Sequence, residues 1–591
     1  MKFDCGCEYD KVDFETPSIP LDCGKTWDFI GSGLTKGVFQ LEKSLGKRYT
    51  KEIKPRSIDD LAAVISLIRP GCLEAKFRTD PKTEKEITII DTYIRIKNGT
   101  LEPEYIHPAL EPIFKDTYGV PIYQEQIMRI CSDYAGFTLK EADDARKAMG
   151  KKLPEKMKQV KVKFIEGAKK AGHDEATSET IFGWIDKFSG YGFNKSHAVS
   201  YALIGYMTAY AKVHMPLEFF TAMLSNSDGK QDSLEEIQEL VNESKLFNIA
   251  VRPPNLSLMN EDFGIQDEKT IAFGLAHIKG VGSSSIGALS KVSGVKTVRE
   301  FLMAVYPEKP KKSKKEEEKE EEDAREAYAG FILEKIVEVH VEEGTEGAAE
   351  ALKEVKEENK AMAKEHMQEL VKKKRENGKL NKTVCEALIK SGSLEHLSKQ
   401  RVKLLECYRI LGAMTDKERR TFFSEDWKPD ERFDISLDHF LARTKGGASA
   451  ARLPKLIEEI KAIRSEFIGA NQKKLAIAWE KFYLGVPLTG SLVELYFNSR
   501  VDTKLRNLLR LRSGHVGACG VVIETVKKFK DKNGNWMAFM TVSDETYINE
   551  SFVLFAKQFN DNAWILEEGK PVLMLGRKDK DSFIVNKIEH L

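Results

Sequence analysis

Four cations fall within seven residues in the run RKAMGKK, Arg146 to Lys152. Lys147 and Lys151 are i,i+4 and share one helical face. Gly150 lets the backbone approach a ligand closely. Such a cluster suits a polyphosphate: arginine forks onto oxygens and lysine supplies point charge. The same residues also suit a solvated basic helix end whose cations complement the helix dipole. A second run, SGYGFNKSHAVSY at Ser189 to Tyr201, sets Gly190 and Gly192 on either side of Tyr191, followed by Asn194, Lys195, Ser196 and His197. Asn194, Lys195 and Ser196 offer donors to phosphate or base edges, and Tyr191 and Phe193 could stack on a base. The alternative is a polar helix start, in which Asn194 or Ser196 caps a helix running through Tyr201 to Tyr210. A helix N-terminus rich in donors is also an anion site, so the two readings are compatible.

A third run, HIKGVGSSSIGAL at His277 to Leu289, has the Gly-x-Gly, small polar residues and following helix of a helix-hairpin-helix. Such hairpins aim backbone N–H groups at DNA phosphates without reading sequence. Lys279, Gly280, Gly282 and Ser283 are its candidate DNA contacts, with a plain tight turn as the alternative. Cys5, Cys7 and Cys23 are candidate metal ligands, although their spacing fits no common zinc pattern and no fourth ligand is evident. Cys72, Cys131, Cys385, Cys407 and Cys519 are scattered and are expected in the core.

These residues must be positioned by several domains. The chain has 591 residues, and at ~150 residues per domain that suggests about four. Hydrophobic residues make up 41% and charged residues 31%. No apolar run approaches the ~20 residues of a membrane span, and there is enough apolar material for several cores. A membrane protein and a mainly disordered chain are both excluded. Lys plus Arg is 93 against 92 for Asp plus Glu, a formal net charge of +1, so any basic surface for nucleic acid is local. The opening Met-Lys-Phe-Asp-Cys lacks a signal-peptide core. Eight cysteines are too few for a disulfide framework. A cytoplasmic location is the expectation.

The expected fold is multidomain and mostly α, with a C-terminal β-barrel. Residues 1–24 form a short cysteine-bearing segment, and 25–225 a helical and mixed region with helical spacing at Leu61, Val64, Ile65 and Ile68. Residues 226–306 carry the first hairpin, with a helix expected from Ser233 to Leu246 and a strand from Thr270 to Leu275. Residues 307–375 are a charged, helix-prone insertion opening on KPKKSKKEEEKEEEDARE. Residues 376–512 return to helical patterning. Residues 513–591 hold five short β-rich runs and the hairpin signal Asn533-Gly534, which suits a barrel of the OB type.

In this order the runs GVFQLE (37–42), IRPG (68–71), YGVPIYQEQIM (118–128), AGFTLKEADDARKAMGKK (135–152) and GYGFNKSHAVSYALIGYMTAYAKVH (190–214) resemble the fingers region of the C-family bacterial replicative DNA polymerase III α subunit. VRPPNLS (251–257), IAFGLAHIKGVG (271–282), VCEALIKSGSLEHL (384–397) and EKFYLGVPLTGSL (480–492) continue in family order, through the hairpin regions to the linker before the OB domain. The resemblance implies that Arg146, Lys147, Lys151 and Lys152 face the incoming triphosphate, and that Tyr191, Asn194, Lys195, Ser196 and His197 line the nucleotide pocket. Lys147 stands where an arginine is common, which trades a bidentate contact for a point charge.

The family's PHP domain, and the palm whose three aspartates hold two Mg²⁺ ions, have no evident counterpart. Asp579 and Asp581 are the sole Asp-x-Asp and read as turn chemistry. The opening MKFD is similar to the palm motif around the third aspartate, which makes Asp4 a candidate carboxylate, but CGCEYD follows where the family has a Leu-Gly-Leu helix. The expectation is the fingers, hairpin and OB part of a split polymerase. It would bind dNTP and primer-template, with Mg²⁺ carboxylates on a PHP-palm polypeptide. The alternatives are a non-catalytic fragment that binds primer-template or single-stranded DNA, and an interrupted reading frame. A sliding-clamp contact is expected from the family, and Phe433–Phe440 (FDISLDHF) sits in about the right place, but the usual leading Gln of a clamp-binding peptide is absent and the favoured reading there is a local turn with apolar anchors.

Overall fold

The computed structural model describes residues 19–150, 154–188, 191–306, 380–422, 452–496, 499–508, 510–580 and 582–591. The chain divides into two compact units, Met1–Met223 and Leu224–Leu591. Asp4, Cys5, Cys7, Lys151, Lys152, Gly190, the 307–375 insertion and Phe433–Phe440 lie outside the described residues.

In the first unit, the helix Ile58–Leu67 starts at Ser57, whose side chain accepts from the Asp60 N–H, and Asp59 and Asp60 fill its first turn. Those acids favour the positive end of the helix dipole. Every residue from Leu61 to Leu67 is buried. Ile68 falls at the C-cap rather than inside, because Pro70 opens the next short helix, Pro70–Glu74, and the residue before a proline is driven out of the helical region. The helix Lys195–His214 packs across Ile58–Leu67 through Ala198, Ala202, Tyr206, Ala209 and Tyr210, all fully buried. Small residues there let the helices approach closely. Two strands, β1 (Lys76–Thr79) and β2 (Glu86–Thr88), pair antiparallel beside this core. A second core gathers Phe114, Ile127, Tyr134, Phe164, Phe182 and Phe188.

Lys212 is fully buried in the long helix. Its Nζ donates to Lys36 O at 2.5 Å and Leu34 O at 3.3 Å, and the rings of Phe29, Phe219 and Phe220 lie 5.3–5.6 Å away. Carbonyls and aromatic faces replace the water that a buried ammonium loses. The effect is to fasten the 34–41 loop, where the GVFQLE run begins. Thr208 Oγ1 accepts from Phe39 N in the same loop, at 3.1 Å.

In the second unit, Asp232 caps the helix Ser233–Ser244, accepting from Glu235 N at 3.1 Å. Residues 245–247 tighten into a 3₁₀ turn. Strands β3 (Ala250–Arg252), β4 (Gly264–Asp267) and β5 (Thr270–Ala272) form a small sheet with β5 in the middle. The strand expected to reach Leu275 ends at Ala272, and Leu275–His277 is a 3₁₀ turn. His277, almost fully enclosed, sits between Asp228 (3.1 Å) and Asp262 (3.2 Å).

Helices Lys382–Ser391, Arg401–Ala413 and Gln472–Leu484 surround a buried ion pair. Glu480 has no exposed surface, and it accepts from Arg401 (2.6 Å), Leu488 N (2.6 Å), Thr489 N (2.9 Å) and Thr489 Oγ1 (2.8 Å).

The last five strands are β6 (Val516–Lys530), β7 (Trp536–Ser543), β8 (Ile548–Leu554), β9 (Pro571–Asp579) and β10 (Ser582–His590). They close in the order β6-β7-β8-β10-β9, with β9 returning to β6. Only β8 and β10 run parallel, and the helix Ala556–Asn562 lies between β8 and β9 in sequence. This is the five-stranded OB topology. Alternation along the strands puts Cys519, Val521, Ile523, Ala538, Met540 and Val542 inside. Gly534 takes φ +82 in the β6–β7 turn. Asp579 ends β9, where it accepts from Ser513 Oγ at 3.2 Å.

Candidate nucleotide and nucleic-acid site

Arg146 and Lys147 lie on the helix Leu139–Gly150. Both converge on one carboxylate. Arg146 Nε and Nη2 donate to Asp143 Oδ1 at 2.9 and 2.8 Å, and Lys147 Nζ reaches Oδ2 at 2.6 Å. Lys147 and Arg146 hold the Asp143 carboxyl below its ordinary pKa, and Asp143 raises that of Lys147. The third Arg146 donor, Nη1, goes to Gln124 Oε1 at 3.0 Å. Gln124 passes the connection on, because its Nε2 donates to Gly192 O at 3.1 Å.

The helix Leu139–Gly150 is therefore wired to the turn at residues 191–194 through one glutamine. The turn is further fixed by backbone pairing: Phe193 N donates to Ile122 O and Gln124 N to Phe193 O, at 2.9 and 2.8 Å.

Asn194 is the N-cap of Lys195–His214, and its Oδ1 accepts from His197 N at 2.8 Å and Ser196 Oγ at 3.0 Å. Glu125 also sits at this helix start, accepting from Asn194 Nδ2 at 2.8 Å and Lys195 N at 2.9 Å. The cap reading of Asn194 is thus realised, and a carboxylate already meets part of the helix's positive end. Lys195 Nζ lies 5.6 Å from the Tyr123 ring and 3.9 Å from Asp59. His197 is exposed, 4.0 Å from Tyr201 between ring centroids. Tyr191 is half-buried, and burial pushes its phenol up to about 12, so it stays a neutral donor. Arg69 spans the turn: Nη2 donates to Tyr191 O at 2.9 Å and its guanidinium lies 4.1 Å from the Phe193 ring centroid.

Sequence reading assigned no role to Arg69, Gln124, Glu125 or Asp143. Arg69, Gln124 and Glu125 have partners on other segments, whereas Asp143 pairs with Arg146 and Lys147 on its own helix, at the i,i+3 and i,i+4 spacings that could have shown it.

In the second unit, Lys279, Gly280, Gly282 and Ser283 are all exposed. Gly280 has φ +90, a conformation few residues but glycine tolerate. Gly282 caps the helix Ser283–Ser293 with no side-chain bond, which leaves N–H groups of its first turn open to an acceptor. One 3₁₀ turn precedes this hairpin where a helix-hairpin-helix has its first helix. Lys279 Nζ lies 4.2 Å from the Phe482 ring centroid.

The β6–β7 hairpin of the barrel carries exposed Lys527, Lys528, Lys530 and Lys532. Its aromatics include Phe529 stacked on Phe539 (4.9 Å, 12°) and Trp536, 47% exposed under Lys530. Alternating cations and aromatic faces are what single-stranded nucleic acid needs from a protein.

Among the described residues no three His, Cys, Asp or Glu side chains gather as a metal site requires. The described residues therefore do not fit a two-Mg²⁺ centre. Among them, too, no helix is long and apolar enough to cross a membrane.

A family model described as the bacterial DNA polymerase III alpha subunit finger domain matches residues 7–172. The chain is 30% identical to DNA polymerase III subunit alpha of Aquifex aeolicus over 576 residues, which is 96% of this chain and 39% of that protein. It is 30% identical to the Halalkalibacterium halodurans protein of the same name over 95% of this chain and 40% of that protein. With the Thermus aquaticus one it shares 40% over 284 residues, 47% of this chain and 22% of that protein. The chain thus spans about two fifths of the length of the relatives that match it nearly end to end.

Proposed function

The chain belongs to the DNA polymerase III alpha-subunit family, the C family, and from that premise we propose that it binds dNTP and primer-template DNA for template-directed nucleotidyl transfer. Arg146, Lys147, Lys151 and Lys152 meet the triphosphate, and Tyr191, Asn194, Lys195, Ser196 and His197 line the nucleotide pocket. The observation that carries this is the Arg146–Gln124–Gly192 connection. It places a phosphate-seeking guanidinium beside an aromatic turn and a helix start. Such prepositioning is what phosphoryl transfer asks of a protein.

The Mg²⁺ carboxylates come from a palm that the described residues do not supply, carried by a second, PHP-palm polypeptide. DNA runs over the Lys279–Ser283 hairpin and the barrel. Primer extension with Mg²⁺ and dNTPs, with and without a palm-bearing polypeptide, tests this reading. Extension only with the palm, abolished by Arg146→Ala, is expected. Extension by this chain alone would bring the carboxylates back to it, with Asp4 the first to replace.

A second reading is favoured by the lysine and aromatic hairpin of the barrel: a fragment that binds primer-template or single strands and performs no synthesis. No extension under either condition, with DNA binding intact, supports it.

A further inference from the structure

A cavity of about 530 Å³ opens in the second unit, walled by the end of the helix Ser233–Ser244, by residues 486–491 and by the β7–β8 turn. Small-molecule sites have volumes of about 300–1,000 Å³. Four carboxylates line it, and each is already engaged. Asp544 accepts from Leu505 N at 2.8 Å, Thr546 N at 2.7 Å and Tyr547 N at 2.9 Å. Glu494 accepts from Ser491 N at 2.9 Å, and Glu524 pairs with Lys481. Glu545 Oε1 pairs with Lys504 at 2.7 Å, and only its Oε2 lacks a donor.

The two cations in the same lining, Lys245 and Arg506, are poorly met. Lys245 Nζ has Asn242 Oδ1 and Glu545 O at 3.4 Å each, outside the ordinary N–H···O range of about 2.7–3.2 Å. Arg506 reaches only Asn248 Oδ1 at 3.2 Å and Leu246 O at 3.5 Å, through Nη2. Among the described residues neither cation meets a carboxylate at ion-pair distance. Both side chains are half-buried. Burial lowers the pKa of Lys245 from its ordinary value, and Asp544, Glu545 and Glu494 only partly oppose this. A buried cation without a counter-ion is unfavourable, and a bound oxyanion relieves it. Arginine forks onto two oxygens while lysine supplies point charge. We propose that this cavity binds a small molecule bearing a phosphate or carboxylate, its oxyanion held by Lys245 Nζ and the Arg506 guanidinium. None of these residues belongs to the proposed nucleotide pocket, so the two readings stand or fall separately.

Treating the full chain with pyridoxal 5′-phosphate and then borohydride tests this at one residue. The lysine nitrogen attacks the aldehyde carbon, water leaves, and hydride reduces the imine to a secondary amine that peptide mass mapping locates. Lys245 is expected to take the label, and pyridoxal, which lacks the phosphate, is expected to label it about tenfold less. Inorganic phosphate should protect Lys245 where chloride of equal ionic strength does not. Protection by acetate in place of phosphate makes the ligand's anion a carboxylate. Arg506→Gln is expected to remove the advantage of the phosphate-bearing reagent at Lys245 and to leave the labelling of other lysines unchanged, which separates loss of the site from misfolding. No label at Lys245, or equal labelling by the two reagents, overturns the proposal. Protection by a single-stranded oligonucleotide but by neither small anion also overturns it, and assigns the two cations to DNA.

Discussion

Asp143 serves two cations of the Leu139–Gly150 helix at once, Arg146 and Lys147. In the proposed nucleotide site, Arg146 and Lys147 would exchange part of this carboxylate contact for phosphate oxygens. Gln124 holds Arg146 independently of that carboxylate, through Nη1 at 3.0 Å. In Gln124→Ala, Nη1 loses its acceptor, and hydrogen bonds to charged groups contribute about 1.5–3 kcal/mol. Nucleotide affinity, read by equilibrium titration in the palm-supplemented complex, is expected to fall about tenfold or more.

Acid should expose the role of Asp143. Its folded pKa is depressed by Lys147 and Arg146, so its contribution to stability is present above the ordinary aspartate pKa. It is lost as pH falls through the lower, folded value. The melting-temperature difference between the native chain and Asp143→Asn should therefore shrink as pH is lowered from about 5 toward 3. A constant difference would mean that the ion pairs contribute nothing.

At the scale of elements, the start of Lys195–His214 depends on two side chains from different segments, Asn194 and Glu125. Asn194→Ala removes the cap and is expected to cost about 1 kcal/mol in urea denaturation, with Asn194→Asp close to native. Glu480→Ala should be more damaging. It removes one of the two carboxylates that meet Arg401, which keeps Glu395, and it leaves two backbone N–H groups without their acceptor, at about 1–3 kcal/mol for each buried group left unmet.

Elements held by local chemistry were legible in the sequence. The helix from Ser233, the buried face from Leu61 and the five barrel strands follow from residue type and period. The wiring of the site was not. Arg146 and Gln124 are 22 positions apart and Asn194 and Glu125 are 69, while Cys23, with Sγ 3.4 Å from His214 Nε2, is 191 from its partner. No periodicity joins such partners. His214 reads locally as the end of a helix, and only packing reveals what it faces.

At the scale of the whole molecule, a net charge of +1 gives no general attraction to DNA, so binding must fall on local patches. Replacing Lys527, Lys528, Lys530 and Lys532 with alanine should flatten the salt dependence of single-strand affinity. The slope of log K against log salt should drop by no more than about 3. Trp536→Ala should weaken binding by about 1–3 kcal/mol with little change in slope, if a base stacks there. An unchanged affinity in both variants would remove the barrel from the DNA path.

The closure of that barrel also sets an order of events during synthesis. The β6–β7 and β7–β8 pairs join neighbours and form early. The β6–β9 and β8–β10 seams wait for residues 571–591. Until then β6 and β8 are bare edges, and the Gly517–Ile523 stretch, buried throughout in the finished barrel, lies open along β6. A chain released before β9 would carry an apolar edge strand ready to pair with its neighbours. The final hairpin is therefore the barrel's own guard against aggregation.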